Sequence, residues 1–182
     1  MDSTIADYNG RLVSSYIERY PREPYIHAED SADFYISKDY EKAFGVEAGR
    51  RIRYLSYEKG FFLSLDPIPG AVQACNEMLT EGYQVYLCTS PQSRFENCVD
   101  EKYQWVLHHM GRPWTDRMIL TKDKTLIQGD ILIDDKPNIT GLLSPSWVQV
   151  IFSQPYNLQV NKPRIVEWSN WRDVVYNVLG DR

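Results

Sequence analysis

A chain of 182 residues, 43% of them hydrophobic and 25% charged, has the size and composition of one folded domain, which argues against a disordered or fibrous protein. Its 20 basic and 25 acidic side chains give a net charge of -5, which argues against binding to a nucleic acid polymer. No apolar run approaches the roughly 20 residues of a membrane span, and residues 1–4 lack a signal-peptide pattern. We therefore expect a cytoplasmic protein without a membrane partner.

The first third of the chain predicts helices and no strand. Apolar residues at helical spacing stop at Pro21, and two further helical stretches, 38–44 and 46–57, are separated by Gly45. We expect residues 9–65 to form a helical insertion over one edge of a sheet.

From Pro67 onward, helix-like and strand-like segments alternate with short connections. The predicted helices are 69–82, 98–110 and 171–179, the last with Ser169 as its N-cap. The predicted strands are 83–88, 118–120, 131–133 and 148–152, and we expect 118–120 and 131–133 to be buried. This alternation is typical of an open, largely parallel α/β sheet with helices on both faces. Ligands of such sheets bind beyond the carboxyl ends of the strands, so the polar residues that follow each strand are the candidates for a functional site.

Polar side chains collect at these predicted strand ends. Thr89 and Ser90 can present a hydroxyl and backbone N–H groups to an oxyanion, and Lys124 can bring a positive charge to phosphate oxygens. Asp134 and Asp135 repel each other unless a cation lies nearby, and their hard oxygen ligands suit magnesium. Each feature alone has an ordinary alternative, as a solvated turn or a surface lysine. Together they match what phosphoryl transfer needs, namely positive charge, hydrogen-bond donors and carboxylates.

Ordered motifs run along essentially the whole chain. They are residues 1–8, 65–71, 87–91, 100–106, 120–125, 132–137, 145–147 and 168–171. The set resembles the 5'(3')-deoxyribonucleotidases, which belong to the haloacid dehalogenase superfamily of phosphatases. The resemblance implies a Rossmann-like core with a parallel sheet, formed by residues 1–8 and 66–182, and a helical cap, residues 9–65, inserted after the first strand.

The resemblance also implies an activity. It is that of a magnesium-dependent phosphatase, a 5'-nucleotidase, which hydrolyses (deoxy)ribonucleoside 5'-monophosphates through an aspartyl-phosphate. Asp2 would be the general acid and base, and its backbone carbonyl would bind Mg²⁺. Thr89 and Lys124 would hold the phosphate, with Ser90 beside them.

The resemblance further assigns the metal and the nucleoside. Asp2, Asp134 and Asp135 would form the magnesium site, and we expect Asp135 to be the direct ligand while Asp134 orients water or a lysine. Four residues, Tyr8, Phe34, Tyr35 and Ile36, match the stretch that contacts base and sugar. For the aromatic residues, packing within the cap is an equally good interpretation. A homodimer is plausible by resemblance, although the sequence carries no signature of one.

The match departs from the family at the nucleophile. The family motif is a strand followed by Asp, a variable residue and a second Asp, and Met1 occupies the variable position here. The nucleophile and the first core strand therefore have no counterpart in the sequence, and Asp7 is out of register. We expect an incomplete start, because loss of a central strand would expose backbone donors and apolar helix faces. A non-catalytic nucleotide-binding relative or regulator, and a phosphatase for another small phosphate ester, are the alternatives.

Overall fold

The computed structural model describes residues 1–180 and contains seven α-helices and five short β-strands within that range. The helices are α1 (Tyr8–Arg19), α2 (Ile36–Phe44), α3 (Val46–Leu55), α4 (Ala71–Thr80), α5 (Cys98–Met110), α6 (Arg112–Thr115) and α7 (Trp171–Gly180). The strands are β1 (Leu87–Thr89), β2 (Met118–Leu120), β3 (Ile131–Asp134), β4 (Val148–Phe152) and β5 (Arg164–Ile165). None of the helices in residues 1–180 combines the length and the apolar character that crossing a bilayer requires.

The strands form two parallel sheets. One sheet pairs β1 with β2, starting at Leu87 opposite Met118, and the other has the order β3-β4-β5. Every pairing is parallel, so the predicted α/β class is confirmed as a mixed fold with parallel sheets. Among residues 1–180, no ladder joins β1 to β3, so the sheets remain separate.

Residues 8–55 form three α-helices, as the sequence predicts, and a short 3-10 helix, Ala28–Asp30. The Asp7 side chain caps α1 by accepting a hydrogen bond from the Gly10 N–H at 3.0 Å. Gly45 connects α2 to α3 with φ of 92°, a conformation that favours glycine. The two helices pack so closely that a Cβ atom at Gly49 would lie 2.6 Å from the Ser37 carbonyl oxygen. The division into a core and a cap stays a prediction.

A tight turn at the amino end positions the half-buried Asp2. The Met1 carbonyl accepts hydrogen bonds from the N–H groups of Thr4, Ile5 and Ala6, at 3.2, 2.8 and 3.1 Å. The Thr4 carbonyl accepts a 2.9 Å bond from the indole of Trp168, which is almost fully buried. Because this turn is bonded both internally and to the core, the position of Asp2 is well defined.

Two strand predictions need correction. Residues 83–88 were predicted to form a strand, but β1 covers only Leu87–Thr89. Leu87 pairs with Met118, the first residue of β2, so residues 83–86 have no neighbouring strand to pair with. The predicted strands 118–120 and 131–133 exist, but they are only half-buried, with Leu120 exposed. Strands covered on both faces and paired on both edges would be buried, so one side of each is incompletely covered.

The prediction for the last helix is right in extent and wrong in its cap. Ser169 lies inside a short 3-10 helix, Trp168–Asn170, that continues directly into α7. The first N–H groups of α7 therefore follow helical residues, and Ser169 does not act as the N-cap. The sequence also gave no signal for α6 or for the two-residue strand β5.

Candidate active site

Polar side chains from separate segments meet at the carboxyl ends of β1 and β3. Thr89 ends β1, Asp134 ends β3 and is followed by Asp135, and all three are buried. Lys124 begins a short 3-10 helix, Lys124–Leu126, downstream of β2. The structure thus brings together the residues that the sequence predicts for phosphate and metal.

Lys124 and Asp134 form a nearly buried ion pair. The Lys124 ammonium donates to Asp134 Oδ2, and the two side chains are 13% and 5% exposed. Burial opposes the charge of Lys124, but the charge and hydrogen bond of Asp134 outweigh it and raise the lysine pKa. The other oxygen, Oδ1, accepts from the Lys136 N–H at 2.9 Å. Asp134 is therefore held as the orienting partner of a lysine.

Asp135 is held by three other residues. Its Oδ1 accepts from the Thr4 hydroxyl at 3.1 Å, and its Oδ2 accepts from the Tyr156 hydroxyl at 2.5 Å. Its carbonyl accepts from the Asn157 amide at 2.8 Å. Burial, followed by the charge of Asp134, raises the pKa of Asp135 to about 6. A carboxylate kept in such surroundings gains from a nearby cation.

Lys102, on α5, lies at the centre of the site and was missed by the sequence analysis. Its fully buried ammonium donates to Asp2 Oδ2 at 2.6 Å, to the Thr89 hydroxyl at 3.0 Å and to the Ser90 carbonyl at 3.3 Å. The signal was present, because Lys102 falls between Cys98 and Trp105 on the buried stripe of a helix. A lysine on the buried face of a helix is removed from water, so its charge needs acidic or polar partners.

The remaining oxygen of Asp2 and the amino group of Met1 complete the polar site. Asp2 Oδ1 is buried and has no hydrogen-bond partner in the described part of the chain. The Met1 amino group is buried too, and burial together with the charge of Lys124 lowers its pKa. The site therefore contains one carboxylate oxygen that is available to a ligand.

The donor set partly fits magnesium. The adjacent buried carboxylates Asp134 and Asp135 and the unpartnered Oδ1 of Asp2 are hard oxygen donors of the type that Mg²⁺ prefers. Within residues 1–180, however, no three acidic, histidine or cysteine side chains lie close enough to hold a metal by themselves. A backbone carbonyl, water or another carboxylate would have to contribute.

The residues predicted to bind the nucleoside lie at different depths. Phe34 meets the ring of Tyr156 edge-on, with centroids 5.7 Å apart, and the Lys136 ammonium lies 5.8 Å from the Phe34 centroid. Tyr35 is 56% exposed and packs against Phe34. The Phe34 ring thus adjoins residues that contact or flank Asp135, and Tyr35 lies behind it.

The other predicted contacts are less direct. Tyr8 packs edge-on against Phe61, and its hydroxyl accepts a 3.4 Å bond from the Gln92 amide. Ser90 is exposed and reaches the site through its carbonyl, which accepts from Lys102. Ile36 is 2% exposed and belongs to the hydrophobic core. Their roles in substrate binding stay predictions.

Comparison with known proteins defines the class as that of the 5'-nucleotidases, which are hydrolases. The family described as "5' nucleotidase, deoxy (Pyrimidine), cytosolic type C protein" matches residues 1–179. A Bordetella pertussis protein named "Putative 5'(3')-deoxyribonucleotidase" is 42% identical over 179 residues, which is 98% of this chain and 94% of the relative. The human proteins named "5'(3')-deoxyribonucleotidase, cytosolic type" and "5'(3')-deoxyribonucleotidase, mitochondrial" are 37% and 36% identical, with 99% and 96% of this chain and 92% and 79% of the relatives covered.

The chain belongs to the 5'(3')-deoxyribonucleotidase family. The resemblance in the ordered motifs is therefore confirmed.

Proposed function

We propose that this chain has the machinery of a magnesium-dependent phosphatase that hydrolyses (deoxy)ribonucleoside 5'-monophosphates to nucleoside and phosphate. The observation that carries the proposal is the meeting of the buried Lys102 and the mostly buried Lys124 with Thr89 and paired aspartates at the carboxyl ends of parallel strands. Two ammonium groups and a hydroxyl at one site can neutralise and orient the oxygens of a phosphate ester. The names of the relatives support the choice of a nucleotide as the ester.

Asp2 would carry the proton in this reaction. Lys102 holds one oxygen of Asp2, while Oδ1 has no partner among residues 1–180 and can exchange a proton with a bound ligand. A nucleophilic carboxylate would form a bond to phosphorus while the ester P–O bond breaks and Asp2 protonates the departing sugar oxygen. Water, deprotonated by Asp2, would then attack phosphorus and release phosphate, which restores the carboxylate.

The nucleophile in this scheme would be an aspartate bonded to the nitrogen of Met1. That position fits the site, because the Met1 amino group is buried and interacts electrostatically with Lys124, Asp2 and Asp134. Asp7 does not replace it, since its side chain caps α1 at Gly10. Hydrolysis by the 182-residue sequence as it stands is expected to be nearly absent.

Magnesium would be held by Asp135 and the Asp2 carbonyl, with Asp134 keeping Lys124 in place. When bound, the ion would screen the negative charge that builds up on the phosphoryl oxygens. The unpartnered Asp2 Oδ1 and the raised pKa of Asp135 support a cation at this place.

The finer fold that accompanies this function is a haloacid dehalogenase-like core, residues 1–8 and 66–182, with residues 9–65 as an inserted cap. The ends of this insertion meet, because the Asp7 N–H donates to the Asp66 carbonyl at 2.8 Å. Phe34 of the insertion packs against Tyr156, which bonds to Asp135, and Tyr35 packs against Phe34, so cap residues can reach a nucleoside bound at the site. A cytoplasmic setting and a homodimer stay predictions.

A non-catalytic nucleotide-binding protein is the second candidate. The feature in its favour is that Met1 occupies the variable position of the family motif, so no aspartate of the given sequence stands at the nucleophile position. Such a protein would bind the same ligand through the same lysines, and it would release no phosphate.

One experiment separates the two candidates. An apolar strand of five residues that ends in Asp is fused directly before Met1, and phosphate release from dUMP and dTMP is measured with Mg²⁺. The matched control carries Asn in place of that Asp, and the unextended chain is assayed in parallel. Release by the Asp-extended chain alone supports the phosphatase. Nucleotide binding without release in a folded Asp-extended chain favours the non-catalytic protein, and robust release by the unextended chain contradicts the assigned nucleophile.

A further inference from the structure

The segment that carries Lys124 is held by hydrogen bonds on both sides of that residue. The Thr121 hydroxyl donates to the Asp123 carbonyl at 3.0 Å and accepts from the Asp123 N–H at 3.1 Å. Asp123 Oδ1 accepts from the Thr125 N–H at 2.9 Å and from the Thr125 hydroxyl at 2.6 Å. The Lys124 carbonyl itself accepts from the Trp147 indole at 3.4 Å. Both residues that flank Lys124 are therefore fixed, and they are bonded to each other.

A second loop closes on this segment. Asp123 Oδ2 accepts from the Leu142 N–H at 2.7 Å, and the Thr125 hydroxyl accepts from the Leu143 N–H at 3.1 Å. We call these contacts, together with those between Asp123 and Thr125, the loop clamp. Residues 141–143 lie in the connection from β3 to β4, and β3 ends at the first of the paired aspartates. The loop clamp therefore ties the segment of the active-site lysine to the connection that follows those aspartates.

Only glycine fits at the point where the two loops approach each other. A Cβ atom at Gly141 would overlap with Asp123 Oδ1 and Thr125 Oγ1. Both atoms are ends of side chains, so a larger residue at this position would displace these two side chains first. Gly141 is exposed, so its replacement removes no buried packing. This position therefore allows the loop clamp to be disturbed without changing Asp123 itself.

The Asp123 carboxylate contacts neutral donors, whereas the Lys124 ammonium is directed elsewhere. Hydrogen bonds from Thr125 and from the Leu142 N–H lower the pKa of Asp123, so the carboxylate stays ionised near neutral pH and keeps accepting these bonds. The Lys124 ammonium donates to Asp134 Oδ2. Asp123 therefore acts on the segment around Lys124, and the ammonium stays available to Asp134 and to a ligand.

We propose that Asp123 is a positioning residue, which holds the segment around Lys124 so that the ammonium reaches both Asp134 and the oxygens of a phosphate ester. This inference rests on the proposed function, because that function assigns the phosphate to Lys124. A lysine side chain is long and flexible, and a fixed backbone reduces the conformational freedom that is lost when its ammonium binds a ligand. Asp123 contacts no ligand in this role and acts through Lys124.

The first test observes Lys124 in the 182-residue chain without any ligand. An ammonium that is mostly buried and paired with a carboxylate exchanges its protons slowly with water, so NMR of the chain labelled with ¹⁵N-lysine should show a separate Nζ signal. Lys124→Arg assigns this signal by removing it. Asp123→Asn and Gly141→Ala should shift or broaden the signal, because each substitution disrupts the loop clamp.

Three controls show whether this effect is specific to Lys124. The signal of the buried Lys102 should stay unchanged, because a disturbance of the whole site would alter both lysines. Asp116→Asn, at an exposed aspartate, should leave the Lys124 signal as it is in the parent. Gly129→Ala, where an added Cβ atom would lie 4.0 Å from the Ile131 carbonyl oxygen, is the matched control for the glycine.

The second test measures the binding of dTMP with Mg²⁺ by isothermal titration calorimetry. Asp123→Asn should weaken this binding at least about fivefold, because Lys124 is no longer held in place. Thr125→Val deletes the hydroxyl that joins Asp123 to Leu143 and should weaken the binding to a similar extent. Thr125→Ser keeps that hydroxyl and should bind dTMP like the parent.

The proposal is overturned if the parent shows no separate Lys124 signal, if Asp123→Asn and Gly141→Ala leave that signal unchanged, or if the Lys102 signal changes equally. It is also overturned if Asp123→Asn alters the signal but binds dTMP as tightly as the parent. A parent chain that binds no dTMP, although its Lys124 signal responds to Asp123→Asn, contradicts the proposed function and supports the positioning of Lys124 by Asp123.

Discussion

The polar site at the strand ends and the cleft beside it satisfy their backbone and side-chain groups in opposite ways. In the polar site, Lys102 is bonded to Asp2 and Thr89, and Lys124 is paired with Asp134. In the interstrand cleft, a space of about 680 Å³ between β1 and β3, Cys88 and Ile133 line strand edges that have no neighbouring strand in the described part of the chain. Charged side chains can thus neutralise one another before any ligand arrives, whereas the backbone groups of a strand edge need hydrogen-bond partners from outside the strand.

This contrast predicts that the polar site is sensitive to the loss of single partners. The largest effect is expected for Lys102→Met, because it leaves Asp2 without its cation and Thr89 without its donor. We expect the free energy of unfolding to fall by about 2–4 kcal/mol, measured by urea denaturation at pH 7.

The control for this variant is Lys59→Met, at an exposed lysine, which should change stability by less than about 0.5 kcal/mol. Equal stability of both variants would mean that the buried contacts of Lys102 are not formed in solution.

A smaller decrease in the free energy of unfolding is expected when the Tyr156 hydroxyl, which donates to Asp135, is removed. Tyr156→Phe keeps the edge-on contact with Phe34 and deletes the 2.5 Å hydrogen bond to the carboxylate. Hydrogen bonds to charged groups contribute about 1.5–3 kcal/mol, so unfolding at pH 7 should become easier by about 2 kcal/mol. Tyr176→Phe, at a side chain that is 72% exposed, should have no measurable effect. A loss of the same size in both variants would argue against the contact with Asp135.

The pH dependence of stability provides a finer test of the polar site. The pKa of Asp135 is raised to about 6 in the folded state, above the ordinary value of about 3.9. The folded chain therefore binds the proton more tightly, and this contribution to stability is full below about pH 4 and is lost as the pH rises through about 6.

Asp135→Asn should remove that loss, so the melting temperature of the variant should fall less between pH 4 and pH 7 than that of the parent chain. Mg²⁺ should raise the melting temperature of the parent at pH 7 and have little effect on the variant. If the melting temperatures of the parent and the variant changed equally between pH 4 and pH 7, the raised pKa of Asp135 would be contradicted.

The sequence predicted those site residues whose positions are determined by the end of a strand. Thr89, Lys124 and Asp134 all follow predicted strands, and parallel strands bring their carboxyl ends to one edge. The same rule extends to Tyr156, which follows β4 and could have been found by inspecting that strand end.

Other features depend on packing that a linear pattern does not reveal. Lys102 sits on a helix whose buried stripe carries a charge, and only its three-dimensional neighbours show what compensates that charge. The run 83–88 has the composition of a strand, yet residues 83–86 have no partner beside them and do not form one. The interstrand cleft is a property of the relation between two sheets, and no local sequence signal encodes it.

The claim that a phosphate ester binds among Lys102, Lys124 and Thr89 is tested most directly by nucleotide binding. Calorimetry of dTMP with Mg²⁺ should show one site per chain, and Thr89→Val should weaken that binding at least tenfold, because the hydroxyl and its bond to Lys102 are lost. Thr80→Val, at the exposed end of α4, is the matched control and should bind like the parent. Equal affinity of the parent and both variants, or no binding by the folded parent, would contradict the account.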